Sequence, residues 1–204
     1  VKQYFNQGER RYITDLGKKY GNISDTKADL RKKVLELRKN LTEEETAGWD
    51  QAICQKIKNL GLEKQYGTIY CYISVRGETG TEALIRWYLE QGLKVAVPRV
   101  KGREMAFYYI DCFEDLEPGC FGIPEPKKSC MTAEETDAPV IVPGVAFSER
   151  FERTGYGAGY YDRFFEKEPQ HRKIAICYDF QIAEAIAVDQ YDVLMDRLSL
   201  PEGN

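Results

Sequence analysis

The sequence predicts an α/β fold, built as a single domain on an open, mostly parallel sheet with helices on both of its faces. Short β-branched and aromatic runs alternate along the chain with longer segments of helical periodicity, which favours strands that are connected by helices. The 204 residues, of which 43% are hydrophobic, are sufficient for one core. No internal repeat or long linker divides them, so residues 25–204 are expected to form the domain and residues 1–24 a variable N-terminal extension.

Two helices are predicted at the start of this domain. The first would be capped by Ser24 or Asp25, and its apolar residues recur at helical spacing. They are Leu30, Val34, Leu37 and Leu41. Thr42 and Glu45 form a capping-box signature for the second helix, which Gly61 would end. The apolar stripe of that helix consists of Trp49, Ile53, Ile57 and Leu60.

Strands and one helix are predicted to follow through the middle of the chain. The expected strands are residues 67–74, 94–98 and 105–110. A helix that begins at Thr79 or Thr81 and ends at Gln91, just before Gly92, would connect the first two strands. Residues 118–126 contain three prolines, so this stretch is expected to be irregular.

The last third of the chain continues the same alternation. A strand at residues 140–142 precedes a glycine-rich loop and a helix from about Tyr160 to Lys167, and a further strand is expected at residues 173–178. A final strand is expected within residues 192–198. The whole pattern is Rossmann-like, and in such sheets ligands bind at the carboxyl ends of the strands. The loops of interest therefore follow Ser74, Pro98, Val142 and Tyr178.

The composition excludes several classes of function. The net charge is −4, whereas a general nucleic-acid-binding protein is expected to carry a basic excess. The longest apolar runs, such as residues 140–147, are much shorter than the roughly 20 residues of a membrane helix, and no secretory signal is recognised. We therefore expect a cytoplasmic protein, a monomer or weak dimer, whose partners are small molecules rather than nucleic acid or membrane.

The cysteine and histidine content limits the possible chemistry. The six cysteines include no Cys-x-x-Cys pair and the only histidine is His171, so neither a zinc site nor a disulfide framework is predicted. Cysteines such as Cys71 and Cys177 lie in apolar runs and are interpreted as buried, reduced thiols. His171 has polar neighbours and is expected on an exposed loop, which disfavours hydrolases that use a histidine base. Catalysis would depend instead on carboxylates, cations, backbone amides and any bound metal.

The most informative segment is a glycine-rich stretch, RTGYGAGYYDR, at residues 153–163. Gly155, Gly157 and Gly159 would take positive φ angles and let the backbone approach a ligand closely. The following helix would direct free N–H groups at the loop, and Arg153 would add a charged fork for phosphate oxygens. The stretch is neither a Walker loop nor a dinucleotide-binding fingerprint. Spacing alone leaves a tight strand–helix connection as the alternative interpretation.

Residues elsewhere have spacings that suit a bound anion or heterocycle. Asp162 lies in the first turn of the helix after the loop, where it could hold magnesium against phosphates. Alternatively, its carboxylate could simply interact favourably with the positive end of the helix dipole. The first predicted helix is basic, which favours a charged outer face made by Lys27, Arg31, Lys32, Lys33, Arg38 and Lys39. Lys27 and Arg31 are four residues apart, however, so they could instead bind an anion together. Glu78 follows a strand end, where ligand-binding groups often lie. One aromatic strand could pack in the core or line a pocket for a flat heterocycle: Met105, Phe107, Tyr108 and Tyr109.

At residues 142–165, VPGVAFSERFERTGYGAGYYDRFF, the chain resembles the signature of the 5-formyltetrahydrofolate cyclo-ligase family, also called 5,10-methenyltetrahydrofolate synthetases. The resemblance extends from about Lys27 to Ser199. Its further landmarks, in chain order, are residues 27–45, the strand before Glu78 and Thr81, residues 94–100, Met105 with Phe107 and Tyr108, residues 122–126, Gln181, and Tyr191 with Asp192.

The resemblance implies a ligase of one-carbon metabolism that requires ATP and Mg²⁺, with residues 25–204 as its catalytic domain. It would convert 5-formyltetrahydrofolate to 5,10-methenyltetrahydrofolate with release of ADP and phosphate, by phosphorylation of the formyl oxygen and ring closure. Arg153 and Lys27 would be catalytic, and Asp162 and Asp192 would bind the metal. The ATP-binding residues would be Lys27, Arg31, Arg153, Thr154, Gly155, Tyr156, Gly157, Ala158, Gly159, Tyr160 and Tyr161. The folate-binding residues would be Ile73, Glu78, Met105, Tyr156, Gly157, Ala158, Gly159 and Tyr160.

The sequence departs from the family pattern near the loop. Ser148 and Phe151 stand where the family usually has Asp and Gly, Tyr191 replaces a common His, and Ala158 occupies a position that is often Gly or Lys. The residues themselves leave two other functions open. One is an ATP-dependent ligase or kinase that acts on another small molecule, and the other is a non-catalytic folate-binding homologue.

Overall fold

The computed structural model of the chain describes residues 26–201. Its α-helices are α1 (Lys27–Lys39), α2 (Glu43–Lys58), α3 (Glu82–Glu90) and α4 (Tyr160–Lys167). Its strands are β1 (Thr68–Cys71), β2 (Lys94–Lys101), β3 (Glu104–Ile110), β4 (Leu116–Pro118), β5 (Pro124–Pro126), β6 (Val140–Val142), β7 (Ala146–Ser148), β8 (Arg153–Thr154), β9 (Lys173–Ile176), β10 (Ile182–Ala183) and β11 (Arg197–Ser199). The expected N-terminal extension, residues 1–24, lies outside the described residues.

The main sheet has six strands in the order β11-β9-β6-β1-β2-β3. Its neighbouring strands are parallel except β2 and β3, which form an antiparallel hairpin at one edge. The chain passes from β1 to β2 on one side and later places β6 on the other side of β1, so the strand order reverses there. Such a reversal opens a crevice at the carboxyl ends of β1 and β6. The predicted mostly parallel, Rossmann-like sheet is confirmed.

Helices cover both faces of this sheet, as predicted. Alternate residues of β1 point to opposite sides, so Ile69 packs in a core cluster with Leu84 of α3, whereas Tyr70 packs in a second cluster with Phe164 of α4. Strands β1, β6 and β9 are buried along their full lengths, which explains why they are apolar without alternation. Within the described residues, no helix is both long and apolar enough to cross a membrane.

Threonine side chains cap the first two helices, whereas, within the described part of the chain, no side-chain hydrogen bond caps α3. The Thr26 hydroxyl accepts a hydrogen bond from the N–H of Asp29, so Thr26 caps α1 and the expected cap at Ser24 or Asp25, which lie outside the described residues, is wrong. The predicted capping box at the start of α2 is confirmed. Helix α3 begins after Thr81, one of its two predicted starts. The Thr81 hydroxyl donates to the carbonyl oxygen of Tyr72 at 2.7 Å, which ties this helix to the chain after β1.

The structure contains short strands that the sequence analysis did not predict. Strands β7, β8 and β10 form a three-stranded sheet, and β4 pairs with β5 in antiparallel register. The prediction that residues 118–126 are irregular is therefore wrong at both ends of that stretch. A two-stranded ribbon tolerates proline because half of its N–H groups point away from the partner strand. Strand β1 also ends at Cys71, earlier than predicted, because the following residues form the loop that enters the crevice.

His171 is buried, with 1% of its surface exposed, so the prediction of an exposed loop residue is wrong. Its Nδ1 lies 2.6 Å from the carbonyl oxygen of Ala138, and its Nε2 lies 3.0 Å from a carboxylate oxygen of Glu168. The ring stacks on Phe164 with a centroid distance of 5.1 Å. Polar neighbours in the sequence did not indicate this burial, because the packing partners come from a helix and from β1.

The six cysteines are free thiols. Cys54, Cys71 and Cys177 are buried, as predicted, whereas Cys112 and Cys120 are exposed, and Cys130 is intermediate. The interpretation of the cysteines as buried is therefore wrong for the exposed pair, which lies in the loops around β4. The part of the chain that the structure describes contains no group of three or more His, Cys, Asp or Glu side chains arranged to hold a metal ion.

Candidate active site

A cleft of about 660 Å³ opens at the crevice beyond the carboxyl ends of β1 and β6. Its walls come from α1, the loops after β1 and β6, the β2–β3 hairpin, the glycine-rich loop between β8 and α4, and the segment before β11. It brings together every residue predicted for nucleotide, folate or metal binding. These are Lys27, Arg31, Ile73, Glu78, Met105, Arg153, Thr154, Gly155, Tyr156, Gly157, Ala158, Gly159, Tyr160, Tyr161, Asp162 and Asp192.

The glycine-rich loop has the backbone geometry that its sequence predicts at two of three positions. Gly157 and Gly159 have φ angles of 101° and 67°. Gly155 is not in the positive-φ region, so that part of the prediction is wrong; a Cβ there would lie 3.0 Å from a guanidinium nitrogen of Arg153. Gly159 is the N-cap of α4, and among the described residues no side chain caps this helix start. The first N–H groups of α4 are therefore available to an anion in the cleft.

Cationic side chains surround the loop. The Nε of Arg31 donates to the carbonyl oxygen of Gly155 at 2.7 Å, which fixes α1 against the loop. Arg153 is buried beneath it and lies over the ring of Tyr161, 5.6 Å from its centroid. Lys27 approaches from the first turn of α1. Three cations around exposed backbone N–H groups form a site for a multiply charged anion.

The two acids that were predicted to bind metal lie at the same end of the cleft. Asp162 pairs with Arg153, with Oδ1 and Nη2 2.7 Å apart, and the same oxygen accepts from the N–H of Val193 at 3.4 Å. Asp192, the residue before Val193, forms an ion pair with Lys27. The Val193 contact thus joins the start of α4 to the segment that carries the second acid.

The carboxylates of Asp162 and Asp192 fit one mode of magnesium binding. Without a third acidic or histidine ligand in the described residues, Asp162 and Asp192 could not enclose the ion. Magnesium is commonly bound by one or two carboxylates together with phosphate oxygens and water, and a pair of carboxylates beside an anion site suits that arrangement. The residues present therefore fit a metal that is held jointly with a phosphate-bearing ligand.

The lining of the cleft also includes Glu78 and several apolar residues. Its walls include Ile73, Tyr72 and Met105, and the N–H of Val75 donates to the Glu78 carboxylate at 3.1 Å. Burial raises the pKa of Glu78 above its ordinary value, although the Val75 hydrogen bond and neighbouring cations oppose the shift. A half-buried carboxylate between apolar walls can accept hydrogen bonds from the polar edge of a flat heterocycle.

Sequence analysis missed several residues of the cleft and misplaced one nearby. Arg38 was included in a charged outer face of α1, but it is only 5% exposed. Its spacing of four from Val34 and eight from Leu30 puts it on the buried face, and this register is the signal that was available. The other lining residues were not predicted individually, although many of them lie in the loops or family landmarks that the sequence singled out: Tyr72, Val75, Pro98, Val100, Arg103, Cys120, Ile123, Pro124, Glu125, Pro143, Gly144, Arg163, Glu166, Asp189 and Tyr191.

The residues that depart from the family pattern have their own structural roles. Ser148 is buried and donates to the Glu152 carboxylate at 2.7 Å. Glu152 also accepts from the N–H of Ile186 at 2.9 Å, so these residues tie the start of the glycine-rich loop to the segment before Asp192. Phe151 has a φ of 66°, a conformation that favours glycine. The glycine that the family usually carries at this position is therefore explained by the backbone.

Fold and cleft together define a class: an open α/β protein that offers a glycine loop, a helix N-terminus and several cations to one large cleft at its topological switch point. The model of the 5-formyltetrahydrofolate cyclo-ligase family matches residues 23–201, and the chain belongs to that family.

Individual relatives agree with this assignment over nearly their whole length. A Caenorhabditis elegans protein named as a probable 5-formyltetrahydrofolate cyclo-ligase is 30% identical, over 86% of this chain and 93% of its own. The 5,10-methenyltetrahydrofolate synthetase structure from Aquifex aeolicus has a TM-score of 0.77 and 32% identity, and it covers 87% of this chain and 90% of its own. The corresponding structure from Mycoplasma pneumoniae has a TM-score of 0.69 and 26% identity, with 84% and 96% covered.

Proposed function

We propose that the chain catalyses the ATP-dependent conversion of 5-formyltetrahydrofolate to 5,10-methenyltetrahydrofolate, with ADP and phosphate as the other products. The observation that carries this proposal is the continuity of the cleft. Tyr156 belongs to the glycine-rich loop, yet its hydroxyl lies close enough to the Glu78 carboxylate for each group to shift the pKa of the other. A nucleotide on the loop and a pterin beside Glu78 would thus be adjacent, as transfer between them requires.

The chemistry requires activation of a poor electrophile. A formamide carbon resists attack because its oxygen is a poor leaving group. Transfer of the γ-phosphoryl group of ATP to the formyl oxygen releases ADP and makes that oxygen a good leaving group. The side-arm nitrogen of the same molecule then attacks the formyl carbon, loses its proton, and phosphate departs with the oxygen. Ring closure gains from proximity, which is worth about 7–11 kcal/mol at best.

The protein's task is to align the reactants and to stabilise developing charge. We assign the triphosphate to the loop from Arg153 to Tyr161, with Lys27 and Arg31 at its side; Arg153 and Lys27 would be the catalytic cations. Asp162 and Asp192 would hold Mg²⁺, which supplies charge neutralisation at the phosphates when bound. The folate would contact Ile73, Glu78 and Met105 and the loop residues Tyr156, Gly157, Ala158, Gly159 and Tyr160.

We further propose the setting in which the enzyme acts. Its free thiols suit a reducing compartment, and we propose the cytoplasm. Its net charge of −4 supports small-molecule partners without nucleic acid, and we propose a monomer or weak dimer. Residues 25–204 would be the catalytic domain and residues 1–24 a variable extension, and the activity of a chain that lacks the extension tests this boundary.

One assay tests the reaction directly. Purified protein is mixed with Mg-ATP and 5-formyltetrahydrofolate, and the near-ultraviolet absorbance of the methenyl product is followed beside the release of phosphate. We expect both signals to rise together and to require ATP. Phosphate release that is indifferent to the folate would indicate a ligase or kinase for another molecule. Folate binding without product would indicate a non-catalytic homologue, and either result would overturn the proposal.

A further inference from the structure

A buried arginine lies behind the cleft and has no role in the reaction as derived above. Arg38 of α1 is 5% exposed, and its Nη1 donates to the hydroxyl oxygen of Tyr156 at 2.9 Å. Its Nη2 donates to the carbonyl oxygen of Gly144 at 2.6 Å. The guanidinium therefore connects a helix to the glycine-rich loop and to the loop after β6.

The Tyr156 hydroxyl connects this arginine to the surroundings of Glu78. A guanidinium can only donate, so the Tyr156 oxygen accepts from Arg38 and its O–H remains free to donate. That hydroxyl lies beside the Glu78 carboxylate, whose pKa it lowers. The series of contacts thus runs from Arg38 of α1 through Tyr156 of the glycine-rich loop to Glu78 of the loop after β1.

Stability alone is a poor explanation for this arginine. Its Nε is buried and has no hydrogen-bond partner among the described residues, which costs free energy. The Gly144 carbonyl also accepts from the side-chain amide of Gln181 at 3.1 Å, so it would not be left unpaired without Arg38. Buried charges of this kind are often no more stabilising than apolar residues of similar size.

We propose that Arg38 is a positioning residue, which acts through Tyr156 to fix the glycine-rich loop at a set distance from Glu78. The loop would carry the nucleotide and Glu78 would face the folate, so this inference rests on the proposed function. With Arg38 in place, the glycine-rich loop and Glu78 keep one spacing, and the phosphoryl group would lie within reach of the formyl oxygen. Lysine cannot substitute, because a single ammonium does not offer the planar fork that contacts Tyr156 and Gly144 together.

The test compares Arg38→Met, Tyr156→Phe and the double variant with the wild-type enzyme. Lys39→Met is the matched control: it removes one positive charge from the same helix at a side chain that is 70% exposed. Measurements are kcat, KM for each substrate, the pH dependence of kcat/KM for the folate, and the thermal midpoint. Wild-type turnover is established first, because its absence would refute the proposed function rather than the role of Arg38.

We expect each single variant to lose about 10- to 100-fold in kcat/KM for the folate, and the double variant to be no worse than the poorer single variant. The fall of kcat/KM at low pH should begin at a higher pH in the variants, because the Arg38 charge and the nearby Tyr156 hydroxyl both lower the pKa of Glu78. The other groups that face Glu78 are unchanged in these variants: Arg76, Tyr72 and Tyr161.

Additive losses in the double variant, or an acid limb that stays at its wild-type position, would overturn the proposal. A loss of activity that merely follows a fall in thermal midpoint would do the same. If Arg38→Met does not fold, the pH dependence of kcat/KM in Tyr156→Phe tests the proposal instead. That variant is expected to fold because the Tyr156 side chain is exposed. Lys39→Met should match the wild type in all measurements.

Discussion

Replacing Asp162 tests whether its carboxylate stabilises the unliganded protein in addition to its proposed role as a metal ligand. The ion pair with Arg153 is largely removed from water, since the side chains are 23% and 5% exposed. Asp162 also accepts from the N–H of Val193. Asp162→Asn keeps the shape of the side chain and one acceptor oxygen, so it removes the charge alone.

The magnitude follows from this burial. Removing one partner of a buried ion pair costs about 3–5 kcal/mol, and because Asp162 is partly exposed and a neutral oxygen would remain beside Arg153, we expect a loss of about 2 kcal/mol. In a chain of this length, that loss corresponds to a fall of about 4–8 °C in Tm. Under the proposed function, turnover should fall by about 100-fold or more, because a metal ligand would be lost and Arg153 would be left without its orienting partner.

Thermal unfolding and turnover are measured for the wild type, Asp162→Asn and Asp196→Asn. Asp196 pairs with Lys173 at 3.0 Å outside the cleft, so its variant should keep wild-type kinetics. Metal-free ATP should raise the Tm of Asp162→Asn more than that of the wild type, because phosphate oxygens replace the missing charge beside Arg153. Wild-type turnover in Asp162→Asn would remove this residue from the metal site, and an unchanged Tm would refute the argument about the ion pair.

Three further substitutions test the loop, the folate end and the core. Gly157→Ala puts a side chain at a φ of 101°, which should lower the free energy of unfolding by about 1–2 kcal/mol in a denaturant titration. The same variant should have a higher KM for ATP. Unchanged stability and KM would mean that the loop does not need this conformation. Burial raises the pKa of Glu78, so wild-type kcat/KM for the folate should fall as pH drops through that raised value, and Glu78→Gln should raise KM and lack this limb. A retained limb would assign it to another group. His171→Asn should lose about 2–4 kcal/mol of stability with kcat unchanged, and reduced turnover in the folded variant would contradict a purely structural role.

The general architecture could be predicted because its signals are local. The Thr42–Glu45 capping box marks the start of α2, and the last helix has the predicted bounds Tyr160–Lys167. The apolar strands predicted a buried parallel sheet because both of its faces are covered. Strands of two or three residues, such as β8 and β10, have no detectable period. Their pairing depends on the whole fold, which is why the second sheet was not predicted.

The composition of the cleft could be predicted only where a motif carried it. Residues 153–162 lie within one motif, but nothing local indicates that Asp162 lies beside the segment of Asp192. That proximity arises from the β9–β11 part of the sheet and from the N–H of Val193. Arg38 and His171 were both placed at the surface because polarity is a poor guide when tertiary packing supplies a partner.

Two cations of the cleft are paired with acids before any ligand binds. Lys27 pairs with Asp192, and Arg153 pairs with Asp162, so no member of the two pairs is left alone in a half-buried site, where desolvation would be costly. Under the proposed function, binding must exchange these partners: phosphate oxygens would replace the acids at the two cations, and a divalent ion would replace the cations at the two acids. A ligand that brings only one kind of charge would leave the other set unpaired. The cleft should therefore favour the nucleotide together with its metal over either one alone.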